Sequence, residues 1–571
     1  MAEMRAGFWQ RNRWLKWLAG GVLVALAALA VVGSILLHRA EPFLRARIVE
    51  TLHDRFHARV ELDSFHMSLV DGLEAEGHGL RIWPPAQVEG VNVPAPAQSG
   101  NPLIRLDEFR FHAPLHYQPG KPFHISVVEL KGLEIDLPPK SHFVHASGSG
   151  AAESGATTRL ISFGVDKIEC TSAHFVLETS KPGKLPLDIA IDHFKLASSD
   201  GGAISSGDAM KFEAELTTPR PVGTVHSTGT FGPWLVSDPG ESPIQGVYQF
   251  DHADLAGFKE IAGILSSTGK YQGTLRDLIV DGETDTPDFR LTHFGNALAL
   301  HTRFHARVDA TNGDTWLEPV DATLGRSHFT AQGQVVRVPA DPSAPAGQGT
   351  AAGGLAASKG HDIALNINID AGRMEDFLRL ASKSATPLLT GALTMKAVLH
   401  IPPGPQHLHE RLHLKGAFNL DRASFSSTKI QDGIRQLSLR GQGMPKEIKA
   451  TDPASVHSAM QGDFQMAGGV ITLPALTYSV PGATINLKGT YGVEGGALDF
   501  AGTTKLDATV SQMVGGVLGA LLKPADRLFR KDGAGTEVPI HISGTREDPK
   551  FGIDFGRMRG KQQPSSQDGK P

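Results

Sequence analysis

The sequence predicts a mainly β protein with few helices: a single N-terminal transmembrane helix, then an elongated, curled antiparallel β-sheet, groove-like and repeating. Three observations carry this. Apolar and polar residues alternate strictly over many short segments, a glycine-centred strand pattern recurs, and an uncharged apolar run stands near the start. Strict alternation means one face buried against something apolar and one face wet. A doubly wound parallel sheet needs continuous apolar runs and alternating helices, and does not fit.

The first element is the run Trp17–Leu37 (WLAGGVLVALAALAVVGSILL), which carries no charge. At about 1.5 Å rise per residue it spans about 30 Å, the thickness of a bilayer core. Arg5, Arg11, Arg13 and Lys16 precede it, with Trp9, Trp14 and Trp17 placed for an interfacial belt. A cleaved signal peptide would have a shorter apolar region and a small-residue site after it. Gly33-Ser34-Ile35-Leu36-Leu37 followed by His38 and Arg39 offers no such site. The segment is therefore read as an uncleaved signal anchor at 17–37, with a basic cytoplasmic N-terminus at 1–16. Arg39, Arg45, Arg47 and Arg55 nearly balance the basic count on the far side. The short basic N-terminus and the large C-terminal body set the expected orientation. The chain is then a single-pass protein of a bacterial inner membrane, its bulk periplasmic.

The body begins with an amphipathic helix, Glu41–His57, whose apolar residues Phe43, Leu44, Ile48, Leu52 and Phe56 recur at spacings of three and four. Pro42 suits its first turn. Period two takes over at Val60, Leu62 and Phe65, and His124–Pro139 reads as two short strands around Gly132. These elements make up a first region, 38–144. A linker at 145–158 (within HASGSGAAESGATT) separates it from a β region at 159–338. A second Ala/Gly-rich linker, 339–360, precedes the last β region, 361–556, and 557–571 is a polar tail.

Within these regions the alternation is plain. Leu298, Leu300, Phe304, Ala306 and Val308 share a face, as do Ile363, Leu365, Ile367 and Ile369 with Asn366 and Asn368 opposite. Leu393, Met395, Ala397, Leu399 and Ile401 follow the same rule, and so do Ile485, Leu487 and Tyr491. The pattern apolar–x–Gly–x–apolar recurs in Tyr271–Leu275, Leu389–Leu393, Leu414–Phe418 and Leu487–Tyr491. Glycine inside a strand marks a bend or bulge, so these sites let each strand curl. A longer repeat sets Asp251, Leu255 and Phe258 before Gly273-Thr274-Leu275 as Asp370, Met374 and Phe377 stand before Gly391-Ala392-Leu393. Each copy predicts a short helix laid across the sheet and followed by a strand, the mark of a quasi-one-dimensional assembly. Thr509–Arg530 predicts a further helix, kinked at Pro524, that caps the end of the sheet.

Composition excludes several functions. Across 571 residues, 55 Lys and Arg against 60 Asp and Glu leave a net charge of −5, without the basic excess of a nucleic-acid binder. One cysteine, Cys170, precludes an intramolecular disulfide or a Cys-cluster metal site, and its place in an alternating strand makes it a small buried residue. His409-Glu410-Arg411-Leu412-His413 matches H-E-x-x-H, but a zincin needs it on a helix. Pro402, Pro403 and Pro405 upstream, Gly416 downstream and the even spacing of Leu412, Leu414, Phe418 and Leu420 predict a strand. There His409 and His413 stand about 13 Å apart. His407, His409 and His413 remain capable of adventitious metal binding. Asp309–Thr315 is read as a turn and not a calcium loop, lacking the closing Glu. No cofactor, catalytic or metal-ligating set is expected, and no enzyme.

A one-sided sheet this long must fold into a sandwich, close into barrels, or curl into a groove whose apolar lining is occupied. About 25 strands at about 4.8 Å each make a groove on the order of 120 Å long. Its candidate lining is Leu300, Phe304, Ile363, Leu365, Ile367, Ile369, Leu393, Met395, Leu399, Ile485 and Leu487.

Together the anchor and the segments Pro42–Trp83, Lys167–Leu196, Thr228–Trp234, Phe418–Gly443 and Val538–Phe555 resemble the AsmA-like family of envelope proteins, whose relatives include the TamB-type proteins. The resemblance covers most of the chain outside the two linkers and rests on patterns of strand, glycine and helix, not on catalytic signatures. It implies a β-rich, taco-shaped groove anchored in the inner membrane, and a role in moving phospholipid or maintaining the outer membrane. The expected partners are phospholipid or another acyl lipid, the inner membrane, and an outer-membrane or envelope protein. The competing expectation is an assembly or structural factor for outer-membrane proteins, which would pair client strands with exposed sheet edges.

Overall fold

The computed structural model describes most of residues 41–553. Outside the description lie 1–40, 54–58, 69–72, 84–101, 114–122, 138–162, 178–186, 340–357, 446–455 and 554–571, most of 200–207 and 515–534, and scattered single positions. The predicted span Trp17–Leu37 and the tail fall outside it. Among the described residues no helix is long and apolar enough to cross a membrane.

The expectation of a mainly β chain is borne out. Among the described residues twenty-five strands, β1 to β25 in chain order, form one sheet that is not closed on itself. Among the described residues the registered ladders are antiparallel with one exception: β5 (Phe123–Leu137) and β6 (Phe163–Leu177) run parallel from Phe123 opposite Phe163 to Leu137 opposite Leu177. This corrects the expected uniform meander. Parallel neighbours need a crossover of about a dozen residues or more, and the low-complexity stretch predicted as a linker lies in that connection. Pro339 and Ser358 are likewise cross-strand partners at the mouth of a hairpin. Both Ala/Gly-rich stretches are therefore insertions between paired strands. The chain divides into one compact unit of residues 1–180, 187–216 and 228–242 and a second of 181–186, 217–227 and 243–571.

In the first unit a helix, α1, occupies residues 41–53. Its Leu44, Ile48, Val49 and Leu52 pack on a core of Leu62, Phe65, Leu80, Leu106, Phe109, Leu133, Cys170 and Phe194. The helix is pinned at its start: Met67 N donates to Glu41 Oε1 at 3.2 Å, and Arg45 donates to the Leu62 carbonyl. The segment read as two strands around Gly132 is a single strand. Gly132 has φ +65° and faces Asp107, so the chain kinks there with its ladder resuming on both sides.

The second unit is a run of antiparallel neighbours that includes β10 (Pro243–Asp254), β12 (Ile264–Thr274), β13 (Asp277–Leu291), β14 (Leu298–Asp309), β15 (Asp314–Leu324), β16 (Ser327–Pro339), β17 (Ser358–Arg373), β18 (Leu389–Ile401), β19 (His413–Phe425), β20 (Ala459–Ala467), β21 (Val470–Val480), β22 (Ala483–Gly492), β23 (Ala497–Leu506), β24 (Thr536–Thr545) and β25 (Pro549–Ile553). The later copy of the predicted helix repeat is helix α2, Met374–Leu380, while the earlier copy is a single 3-10 turn, Leu255–Phe258. Helix α3 is one turn, Leu408–Arg411. Helix α4, Thr428–Gly441, is capped by Ser427, whose hydroxyl accepts from Ile430 N at 3.4 Å. Of the predicted capping helix, the described turn is α5, Val510–Val514.

Helices α2, α4 and α5 sit at one margin of the sheet, and α3 at the other. Asp376 of α2, almost wholly buried, accepts from Ser327 Oγ and Arg326 N, both at 2.9 Å, in the β15–β16 turn. Helix α4 lies so close to the β21–β22 turn that a Cβ on Gly441 would approach the Gly482 carbonyl oxygen to 2.3 Å. Beneath them Ile369, Leu393, Leu420, Tyr478, Val480 and Leu506 form a closed core with Phe377, Ile434, Leu437 and Met513.

Cys170 tests the first unit. It is 3% exposed, and burial pushes its thiol from an ordinary 9.0 up to about 11. Two pH units leave about a hundredfold less thiolate at pH 8, and thiolate is the nucleophile. The native chain should therefore react with iodoacetamide at least about a hundredfold more slowly than in denaturant, measured by mass spectrometry. Equal rates would mean the core around Cys170 is open.

Candidate functional site

The candidate lining residues are joined by the ladder registers. Leu278, Val308, Thr315, Val335, Ile363 and Ile401 are successive cross-strand partners from β13 to β18. A second row runs Gly333, Leu365, Leu399, Leu414, Met466, Ile471, Tyr491 and Leu498, from β16 to β23. A third runs Ile369, Met395, Phe418, Gly462, Leu476, Leu487 and Gly502. Leu300 and Phe304 share a face with Val308 by strand alternation, Ile367 with Leu365, and Ile485 with Leu487. All eleven residues thus lie on one face of the second unit.

They do not all have the same surroundings. Ile369 and Leu393, 1% and 3% exposed, belong to the closed core under α2 and α4. Ile367, Met395 and Ile485 border that core. Leu300, Phe304, Ile363, Leu365, Leu399 and Leu487 are half-buried, and so are Leu414, Met466, Ile471 and Tyr491 beside them. The apolar face is sealed toward the helix-bearing margin and partly open toward the other.

The opposite face is charged. Along β13 and β14, Arg307 holds Asp277 through its Nε and Nη2, His305 bonds Asp281 at 2.7 Å, and Arg303 lies 3.7 Å from Glu283. The Arg307 and His305 hydrogen bonds draw the Asp277 and Asp281 carboxyls below their ordinary values. A shallow concavity of about 710 Å³ on this face is lined by Gln332, Asn366, Asn368, Lys396, Val398 and Lys415 among others.

The strand glycines have two roles. Gly391 has φ +155° and sits at a register shift between β18 and β19, the expected bulge. Others make room for rings: a Cβ on Gly282 would meet Tyr248 Oη at 2.6 Å and Phe304 Cζ at 2.7 Å, and one on Gly489 would meet the Phe500 ring at 2.7 Å. Aromatic rings reach over these glycines and occupy the space a side chain would take.

The face also carries hydroxyls that alternation hides, because Ser, Thr and Tyr obey the same period as Leu. Tyr248 Oη lies 3.1 Å from Ser267 Oγ, Tyr271 Oη 2.7 Å from Ser227 Oγ, and Thr284 Oγ1 2.7 Å from Thr302 Oγ1. Burial raises the phenol pKa of both tyrosines. Each hydroxyl has a partner, as burial requires.

The strand expected to carry H-E-x-x-H begins only at His413. His409 and Glu410 lie on the single turn α3, so no one element presents both histidines. Asp309–Thr315 is the β14–β15 turn. Asp309 there accepts from Thr311 N at 3.0 Å and Asn312 Nδ2 at 3.1 Å, so its oxygens are occupied by its own turn.

A different set of ligating side chains meets instead. Glu260 precedes the two-residue strand β11 (Ile261–Ala262), His293 follows β13, and His407 stands in the β18–β19 connection. Their ligand atoms lie within 4.8 Å of one another. His293 and His407 belong to opposite margins: Ile401, at the His407 end of β18, is in register with Leu278, at the far end of β13 from His293. On a flat sheet they would stand about 45 Å apart along the strands. Their ring centroids are 5.0 Å apart. All five ladders between β13 and β18 contain a register shift, and bulges bend strands and increase their twist. Twist and bending together bring the two margins into contact.

Comparison with family models, curated proteins and solved structures returns no match for this chain.

Two glycines separate ring-seating from mere flexibility. Gly282→Ala should cost about 1–3 kcal/mol by overpacking, seen as faster amide hydrogen exchange across β12–β14. Gly433 on the exposed side of α4 has open space around it, so Gly433→Ala should stabilise that helix by about 0.5–1 kcal/mol, seen as slower exchange. Opposite signs are expected from the same substitution.

Proposed function

We propose that this chain is an inner-membrane-anchored periplasmic protein of the AsmA-like kind that carries phospholipid, or another acyl lipid, along an apolar groove lined by one face of the curled sheet. Such a protein would support outer-membrane lipid homeostasis. The supporting observation is the half-buried apolar strip beyond the helix-capped core, continuous through register from Gly333 to Leu498, with charged residues on the reverse face. Burying a methylene is worth about 0.8 kcal/mol relative to water, so such a strip favours an apolar occupant. A bilayer offers an acyl chain the same gain. Exchange between membrane and groove is then nearly neutral for the chain, and the headgroup stays in water at the open side. No covalent chemistry is needed, and no catalytic set is assigned.

The second reading is an assembly factor for outer-membrane proteins. It rests on β25, which among the described residues pairs with β24 alone; a sheet edge of this kind can accept a client strand.

The test is mass spectrometry of organic extracts from the purified full chain. Leu365→Glu places a charge in the half-buried strip, while Asn366→Glu places it on the exposed reverse face. Phospholipid recovered per chain should fall several-fold in the first variant and stay at the parent level in the second. An equal loss in both, or a folded chain without lipid above the level of a membrane anchor, would count against the groove and leave the assembly reading.

A further inference from the structure

We propose that Glu260, His293 and His407 form a binding site for a divalent transition-metal ion of the zinc class, and that the bound ion clasps the two margins of the sheet together. The proposal does not depend on what the apolar face carries.

The donor set is two imidazoles and one carboxylate, the mixture that suits zinc and its neighbours and not calcium or magnesium. The geometry is close to what an ion requires. Bonds of about 2.0–2.1 Å at tetrahedral angles place ligand atoms about 3.4 Å apart. Glu260 Oε2 lies 3.5 Å from His293 Nδ1, and Glu260 Oε1 lies 3.5 Å from His407 Nδ1. These contacts use the two different carboxylate oxygens; with one ligand atom taken from each residue, all three lie within 4.8 Å of one another, so closures of up to about 1.4 Å complete three corners. A fourth corner is left for water.

The charge balance points the same way. The Glu260 side chain is 19% exposed, yet among the described residues it has no Lys or Arg within ion-pair distance. The half-buried carboxylate thus faces two imidazoles, each able to offer a ring-nitrogen lone pair to a metal ion. A divalent cation neutralises it and satisfies all three. The imidazoles, 49% and 58% exposed, leave the site open to an ion from solution.

The supports are built. Glu260 is fixed by the hydrogen bond from Thr292 N to its carbonyl at 3.0 Å, which also ties it to the turn bearing His293. The His407 loop is folded over Arg411, which donates to the Gln406 and Pro402 carbonyls at 3.0 and 2.6 Å. The site therefore joins two ordered margins that sequence places far apart.

The experiment is equilibrium dialysis of the full chain against Zn²⁺, with visible spectra of the Co²⁺ form as a second readout. The expected result is one tightly bound ion per chain, tetrahedral Co²⁺ bands, and at least a tenfold loss of affinity in both His407→Ala and Glu260→Gln. His409→Ala and His413→Ala should retain the affinity. Zn²⁺ should also protect the 402–412 loop from protease in the parent chain and not in His407→Ala. Because all three residues lie outside the strands, circular dichroism should show the variants folded; were one not, His293→Asn replaces it. Unchanged affinity in the folded variants, or an equal loss in His409→Ala or His413→Ala, would overturn the site. Binding without loop protection would overturn the clasp.

Discussion

Everything in the second unit depends on a single constraint: each strand is apolar on one side only. A sheet of this kind has no second layer supplied by its own pattern, so the apolar side must be covered by bending and by whatever short elements the margins provide. The register rows show how consistently this is kept. From Gly333 to Leu498 each partner of an apolar residue is another apolar residue or a glycine. A slip of one residue in the β16–β17 or β17–β18 ladder would set Asn366 in place of Leu365 in the row, and the row would break there. Register is thus the property under greatest pressure, and the charged ladder of Arg303, His305 and Arg307 with Glu283, Asp281 and Asp277 reinforces it from the other face.

Bending demands a supply of irregularity, and the strands supply it without losing their pairing. Each ladder from β13 to β18 carries at least one register shift. The aromatic rings reaching over Gly282 and Gly489 do a complementary task, occupying the space a side chain would take while leaving the sheet thin enough to curve. In the first unit Gly77 admits the Phe109 ring in the same way, since a Cβ there would come within 2.2 Å of it. The recurrent glycine pattern is therefore partly about curvature and partly about room for a neighbour's side chain.

How much of this is legible in the sequence follows from the range of each signal. Alternation in segments such as Ile363–Ile369 and Leu393–Ile401 is local, and it places the candidate residues of each strand on one face. Helix α1 is equally local, through Leu44, Ile48 and Leu52. Helix α4 is harder to see, because Ile430, Ile434 and Leu437 are diluted by polar residues and Gly433, and its support comes from the β21–β22 turn. The parallel β5–β6 pair is hidden by the low-complexity connection that makes it possible. Least legible is the meeting of Glu260, His293 and His407, since H-E-x-x-H draws attention to His409 and His413 while the residues that converge share no motif. Only the curvature of the sheet makes them neighbours.

The two margins consequently differ in kind. At one, Ile369, Leu393 and Leu420 are sealed beneath α2 and α4, with Asp376 buried and bonded to Ser327 to lock the cover in place. At the other, Leu365, Leu399 and Leu414 continue the same strands but are only half covered. Along a single strand such as β18 the environment passes from closed core to partly open strip within a few residues. The sealed end supplies rigidity that the open end lacks, and the open end supplies the access that a core denies. A carrier of apolar cargo needs both on the same strand, because a face sealed throughout admits nothing and a face open throughout would bury too little to hold its own fold.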